Sequence, residues 1–243
     1  MLCGIVYTAV NRNPRVGDKT MDGSKKEKYS IIFITVICCV IMAFVETFIE
    51  PPYFVKSASK AVVFLALPFI SMKLLHIKVF DRSFALSKKT LMKLLLLGFC
   101  IYFVIIGAYI LTKNTFDYAS LVGSLSVDQK VDSSSFIWVA LYISFFNSFL
   151  EEFLFRFLSF LKLSEFTTKR TAYLFSSVMF AVYHIAMIGT SFPPLLLIVA
   201  LAGLFIGGGI FDFVDEKSKN IYHSWIIHMF ADFAIMTIWY IHI

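Results

Sequence analysis

Residues 136–161 read FIWVALYISFFNSFLEEFLFRFLSFL. A membrane-spanning helix needs about 20 predominantly apolar residues, and this run meets that requirement. It shows no strict alternation of apolar and polar residues, which excludes the lipid-facing strand of a barrel. With no water in hydrocarbon to satisfy the backbone, a continuous apolar run is read as a helix. Yet the same run holds Glu151, Glu152 and Arg156. A charge in hydrocarbon costs about 2.5–3.5 kcal/mol even on the lenient insertion scale. The stretch therefore reads as a membrane helix that brings polar groups to a site inside a bundle.

Comparable runs lie on both sides, at 31–48, 58–75, 91–111, 172–188, 195–213 and 225–242. The weakest is 58–75, which Lys60 and Pro68 interrupt. The expected fold is all-α: a polytopic membrane helical bundle of about seven transmembrane helices, with the polar site among the C-terminal spans. Composition agrees. Charged residues make up 16% and mean hydropathy is +0.80, whereas soluble domains carry about 25% charged residues. The net charge of +6 points to neither nucleic acid nor acidic substrates; in a membrane protein the placement of the basic residues matters more. The expected organisation is a cytoplasmic N-terminal tail over 1–28, three transmembrane helices over 29–112, an outer loop over 113–135 and a catalytic transmembrane domain over 136–243.

The basic residues orient the bundle. Six lie at the N-terminus (Arg12 to Lys28), six around the loop after the second span (Lys73 to Lys93), four after the glutamate pair (Arg156, Lys162, Lys169, Arg170) and two after the sixth span (Lys217, Lys219). These eighteen of the 22 would share one side, leaving Lys56, Lys60, Lys113 and Lys130 on the other. By the positive-inside rule the N-terminus is expected in the cytoplasm and the C-terminus outside, in the cell membrane. Residues 1–10 are too short an apolar run, without a preceding basic region, for a signal peptide. Cys3, Cys38, Cys39 and Cys100 lack C-x-x-C spacing and imply no disulfide framework or thiolate zinc site. Gly207-Gly208-Gly209 lacks the Lys-Ser/Thr of a phosphate loop and reads as a place for close helix packing.

Three polar clusters remain. Glu151 and Glu152 are adjacent on a helix and so about 100° apart, which gives them different jobs. Glu152 and Arg156, at i and i+4, can pair; Glu151 is then free to act as a base or ligand. The plainer reading is a helix end with snorkelling charges. His184 lies on an apolar face, where a histidine is as readily a satisfied core residue. His228 and Asp232 share a face, a spacing that suits a carboxylate orienting an imidazole, or an interhelical hydrogen bond that only locks packing. Charges in a bundle are expected to face one another, and taken together the clusters favour a site. His76, His223 and His242 lie at span ends, Glu46 is a secondary candidate, and Trp138, Trp225, Trp239 and Tyr240 read as interfacial anchors.

The order Glu151-Glu152-Phe-Leu-Phe-Arg156, Phe180-Ala-Val-Tyr-His184 and His228-Met-Phe-Ala-Asp232 resembles the CAAX protease and bacteriocin-processing (CPBP, or Abi) intramembrane peptidases. Asp232 stands where the eukaryotic members carry Asn. The resemblance implies an intramembrane endopeptidase acting on a peptide or membrane-protein substrate, of the CAAX, leader, pheromone or bacteriocin type, or a role in bacteriocin immunity. Glu151 would be the general base, His228 and Asp232 would hold the water or stabilise the oxyanion, His184 would complete the polar cage, and Arg156 would hold Glu152. We take the metal-free glutamate mechanism first, with divalent zinc on Glu151, His184 and His228 as the alternative. Two other readings stand beside it. One is an ion-coupled transporter, disfavoured by the lack of internal repeats; the other is a non-proteolytic scaffold regulating another membrane protein, such as a sensor kinase. The partners expected are substrate and lipid bilayer, with no nucleic acid. Residue counting puts the site roughly 5–20 Å below the cytoplasmic face.

Overall fold

The computed structural model describes residues 14–77 and 86–243, with side-chain surroundings from residue 25 onward. The first part of the expected tail, and Lys78 and Arg82 of the second loop, lie outside these residues. Among the described residues, eight helical rods follow one another. Rod α1 (Pro14–Phe44) continues as a π turn over Val45–Ile49 and spans with Lys25–Ile49. It is followed by α2 (Tyr53–Leu74), α3 (Lys88–Thr112), α4 (Tyr118–Gln129), α5 (Phe136–Glu165), α6 (Lys169–Ile188), α7 (Pro194–Ser218) and α8 (Tyr222–His242). All but α4 are long and apolar enough to cross a membrane. This is a multi-pass helical membrane protein with no strand among the described residues.

Local chemistry sets the helix starts. The Ser87 hydroxyl accepts from Thr90 N at 3.1 Å, Asp117 Oδ1 from Ser120 N at 3.1 Å, and the Thr168 hydroxyl from Thr171 N at 3.2 Å. Each satisfies a donor that the first helical turn leaves over. Pro68 does not end α2. It follows a π turn over Val62–Ala66 and sits at the start of the next α segment, where a missing N–H is tolerated.

The centre of the bundle is α5. From Glu152 to Lys162 it is π-helical and every residue is buried, the surroundings a helix needs when it is apolar all round. Helices α1, α2, α6, α7 and α8 pack around it. Because lipid is as apolar as the core, close packing and polar pairs, more than burial, hold such helices together. Gly208 shows the packing: a Cβ there would lie 3.2 Å from Ser177 Cα, so α7 rides directly on α6. Gly98 does the same for α3, where a Cβ would run into the Phe230 ring of α8. Phe33, Phe103, Leu111 and Leu195 face outward, as lipid-facing residues should.

Two expectations change. The stretch 113–135 is not a plain loop, because it holds α4, which is tied down by Lys56 Nζ to Gln129 Oε1 at 3.1 Å and Ser191 Oγ to Asp128 Oδ2 at 2.7 Å. Trp239 is not an interfacial anchor. It is buried against Phe136 and donates its indole N–H to Ser126 Oγ at 3.1 Å. Trp138 and Tyr240 do face outward.

Candidate active site

The six residues singled out in sequence lie together at the middle of the bundle. Glu151 ends a short α segment of α5, and Glu152 opens the π segment. His184 sits at a break in α6, between Lys169–Tyr183 and Ile185–Ile188. Its Nδ1 lies 2.7 Å from Phe180 O. A carbonyl only accepts, so Nδ1 carries the proton, and Nε2 is turned to Glu151 Oε2 at 3.8 Å. On α8, His228 Nδ1 donates to Glu152 Oε1 at 2.7 Å. His228 Nε2 stands 3.8 Å from the same Glu151 Oε2 and 3.7 Å from Asp232 Oδ1. The two glutamates leave the helix in different directions, as their adjacency dictates, yet both reach His228, one at each ring nitrogen.

One oxygen of Glu151 thus faces two imidazole nitrogens at equal distance. A gap of 3.8 Å is too long for a direct hydrogen bond, for which about 2.7–3.2 Å is usual, and it suits one water-sized group between them. Burial is nearly complete: Glu151 is 1% exposed and Glu152 not at all.

The other oxygen of Glu151 is occupied, which corrects an expectation. Glu151 is not free. Lys60 Nζ of α2 donates to Oε1 at 2.6 Å, and Asn147 Nδ2 to the same oxygen at 3.1 Å. In sequence, Lys60 reads as an interruption of a weak span and as one of four basic residues on the outer side. Like the glutamates, Lys60 is an ionisable group in a span and needs a partner. One turn earlier on α2, Lys56 pairs with Glu46 at 2.7 Å.

Arg156 was expected to pair with Glu152, and its Nε lies 3.4 Å from Glu152 Oε2 and 3.9 Å from Asp212 Oδ1. The guanidinium is fully buried, yet none of its nitrogens makes a direct hydrogen bond within the protein. It lies over the rings of Phe180 and Phe211, at 4.0 and 4.9 Å from their centroids. Charge at ion-pair range and two ring faces, rather than a bidentate fork, hold it. Asp212 also accepts from Ser176 Oγ at 3.0 Å and Ser177 Oγ at 3.3 Å. Asp215, a turn further along α7, accepts from Ser224 N and Oγ and ties down the start of α8. Sequence reasoning missed both aspartates, although two acids three apart in an apolar run are the same signal.

An apolar cavity of about 400 Å³ lies between α2, α5 and the start of α8. Leu65, Phe69, Phe149, Phe153 and Ile221 line it.

Residues 133–234 match the family model for the type II CAAX prenyl endopeptidase Rce1-like proteins. This segment is a CAAX-protease domain of the CPBP family. No curated protein and no solved structure matches the chain. The Rce1-like segment runs from just before α5 into α8 and includes all six residues; Lys60 lies outside it. The family supports a CAAX-type intramembrane endopeptidase, acting on a peptide or protein substrate in a lipid bilayer.

Proposed function

We propose that this protein hydrolyses a peptide bond with a water activated by Glu151. The observation that carries this reading is Glu151 Oε2 set 3.8 Å from both His184 Nε2 and His228 Nε2. A water between them is within reach of all three groups. It adds to the scissile carbonyl carbon while Glu151 takes its proton. The C–N bond then breaks, and that proton passes to the leaving amine. His228, oriented by Glu152 and flanked by Asp232, stabilises the developing oxyanion together with His184. Both act as imidazoliums that donate from Nε2, because Nδ1 of each is already turned to Glu152 or to Phe180 O.

We take the metal-free form of this chemistry first, with divalent zinc on Glu151, His184 and His228 as the alternative. The Lys60 ammonium occupies Oε1 of Glu151 and leaves Oε2 facing both imidazoles.

The apolar cavity beside Phe149 and Phe153 is the proposed approach for a substrate carrying an apolar stem, such as a prenylated CAAX tail. With the buried Arg156, Lys56 and Lys60 set aside, seventeen basic residues fall on one side and two on the other, which supports a cytoplasmic N-terminus and an outer C-terminus. Helix α5 runs on to Glu165, so at about 1.5 Å per residue Glu151 lies at most about 20 Å along the axis from that end, within the range that residue counting gives. Entry from the cytoplasmic side or sideways between helices fits this depth.

Glu151→Gln is nearly isosteric and tests the assignment. In proteoliposomes with a farnesylated CAAX peptide, it should lower the rate about 10²–10⁴-fold while the protein still accumulates. Wild-type turnover by Glu151→Gln would refute the base; tolerance of Glu151→Ala in cells would point to a scaffold.

A further inference from the structure

We infer that Lys60, on a helix outside the Rce1-like segment, is a positioning residue for Glu151. This inference rests on the reading of Glu151 as the base. A carboxylate has two oxygens, and here they are used differently. Oε1 is held by Lys60 at 2.6 Å and by Asn147 at 3.1 Å. Oε2 faces the two imidazoles. Asn147 belongs to the same helix as Glu151, one turn away, and moves with it. Lys60 is the anchor that comes from another helix.

The anchor is itself held. Lys60 is buried, 4% exposed. Its ammonium lies 5.3 Å from the Phe64 ring centroid and 5.0 Å from that of Tyr183. Tyr183 precedes His184 at the break in α6. A single lysine thus touches the carboxylate and the residue next to the first imidazole. It fixes the rotation of the Glu151 carboxylate about its last bond, a broad torsion that side-chain packing alone defines poorly. Turning that group would swing Oε2 out of the space between the histidines. Misplacing a reacting group by about 1 Å can cost about 10²-fold in rate.

Three variants test this with the farnesylated CAAX peptide in proteoliposomes. Lys60→Met should lower kcat about 10²-fold with KM within about twofold. Lys60→Arg, which restores a cation near Oε1, should recover at least tenfold of that loss. Lys60→Met should add little to Glu151→Gln, because the oxygen it orients then serves no base. A lysine that only filled the fold would give parallel losses in amount and activity, with kcat per folded molecule unchanged. Because Lys60→Met leaves a buried carboxylate unanswered, the double variant Lys60→Met/Glu151→Gln is measured beside the single ones by thermal melting in detergent. A double variant more stable than Lys60→Met alone supports the pair; stabilities that simply add overturn it. Full kcat in Lys60→Met, while Glu151→Gln is dead, overturns the inference and leaves the base intact. Activity in both variants refutes the base instead.

Discussion

His228 receives a proton acceptor on each side: Glu152 Oε1 at 2.7 Å on Nδ1 and Glu151 Oε2 at 3.8 Å from Nε2. The short bond fixes the ring and its tautomer; the long one leaves room for chemistry. Glu152→Gln keeps the shape but offers an amide that can turn either its oxygen or its N–H to the ring. Carboxylate–histidine support of this kind, measured at metal sites, is worth about 10–100-fold. A fall of that size in kcat is expected for Glu152→Gln, together with a lower melting temperature, because Arg156 loses a partner 3.4 Å away in a dry setting. Unchanged kinetics in the proteoliposome assay would remove Glu152 from the site. The acids, the histidines and Arg156 were legible in sequence because short spacings carry them. Lys60 and Asp212 carry the same signal as buried charges, but their partners, Glu151 and Arg156, 91 and 56 positions away, were not legible. Only the fold brings such groups together, and a single sequence marks them only as charges without an explanation.

At the scale of elements, close approach between α6 and α7 positions Asp212 behind Arg156. Gly208→Leu must push α7 off Ser177, and overpacking of this kind costs about 1–3 kcal/mol. Gly203, on the same helix, has open space where its Cβ would be. Gly203→Leu should therefore melt like the wild type and Gly208→Leu several degrees lower; equal melting would show that the helices are not so close. Before α5, Asp132 Oδ1 accepts from Ser135 Oγ at 2.7 Å, Ser134 Oγ at 2.8 Å and Ser135 N at 2.8 Å. Led by the Ser135 hydroxyl, these bonds hold its carboxyl down at about 2. An unfolded aspartate titrates near 3.9, so the cap contributes fully above that pH and is lost as pH falls through about 2. The Ser135 amide signal in NMR should titrate with a midpoint near 2, whereas a midpoint near 3.9 would mean that the cap does not form. The seven long rods were legible from length and hydropathy alone. The break at His184 and the π segment of α5 were not, because they answer to packing against neighbours rather than to local propensity.

For the whole molecule, the asymmetry of basic residues predicts that a reporter fused within 114–129 is active outside the cell and one fused near Lys88 is active inside. The reverse pattern would invert the bundle and its route of entry. The bundle also closes across a long stretch of chain, since α2 must meet α5 before the site exists. The Lys60–Glu151 contact has a further consequence, for biosynthesis. A lysine at the centre of a span costs about 2.5–3.5 kcal/mol on the insertion scale. Lys56 finds Glu46 already made, but the partner of Lys60 is 91 residues downstream. At about 5–20 residues per second of synthesis, α2 carries an unanswered charge for roughly 5–20 seconds, and the membrane accepts it fully only when α5 arrives. A chain that stops between those helices leaves the Lys60 ammonium without Glu151.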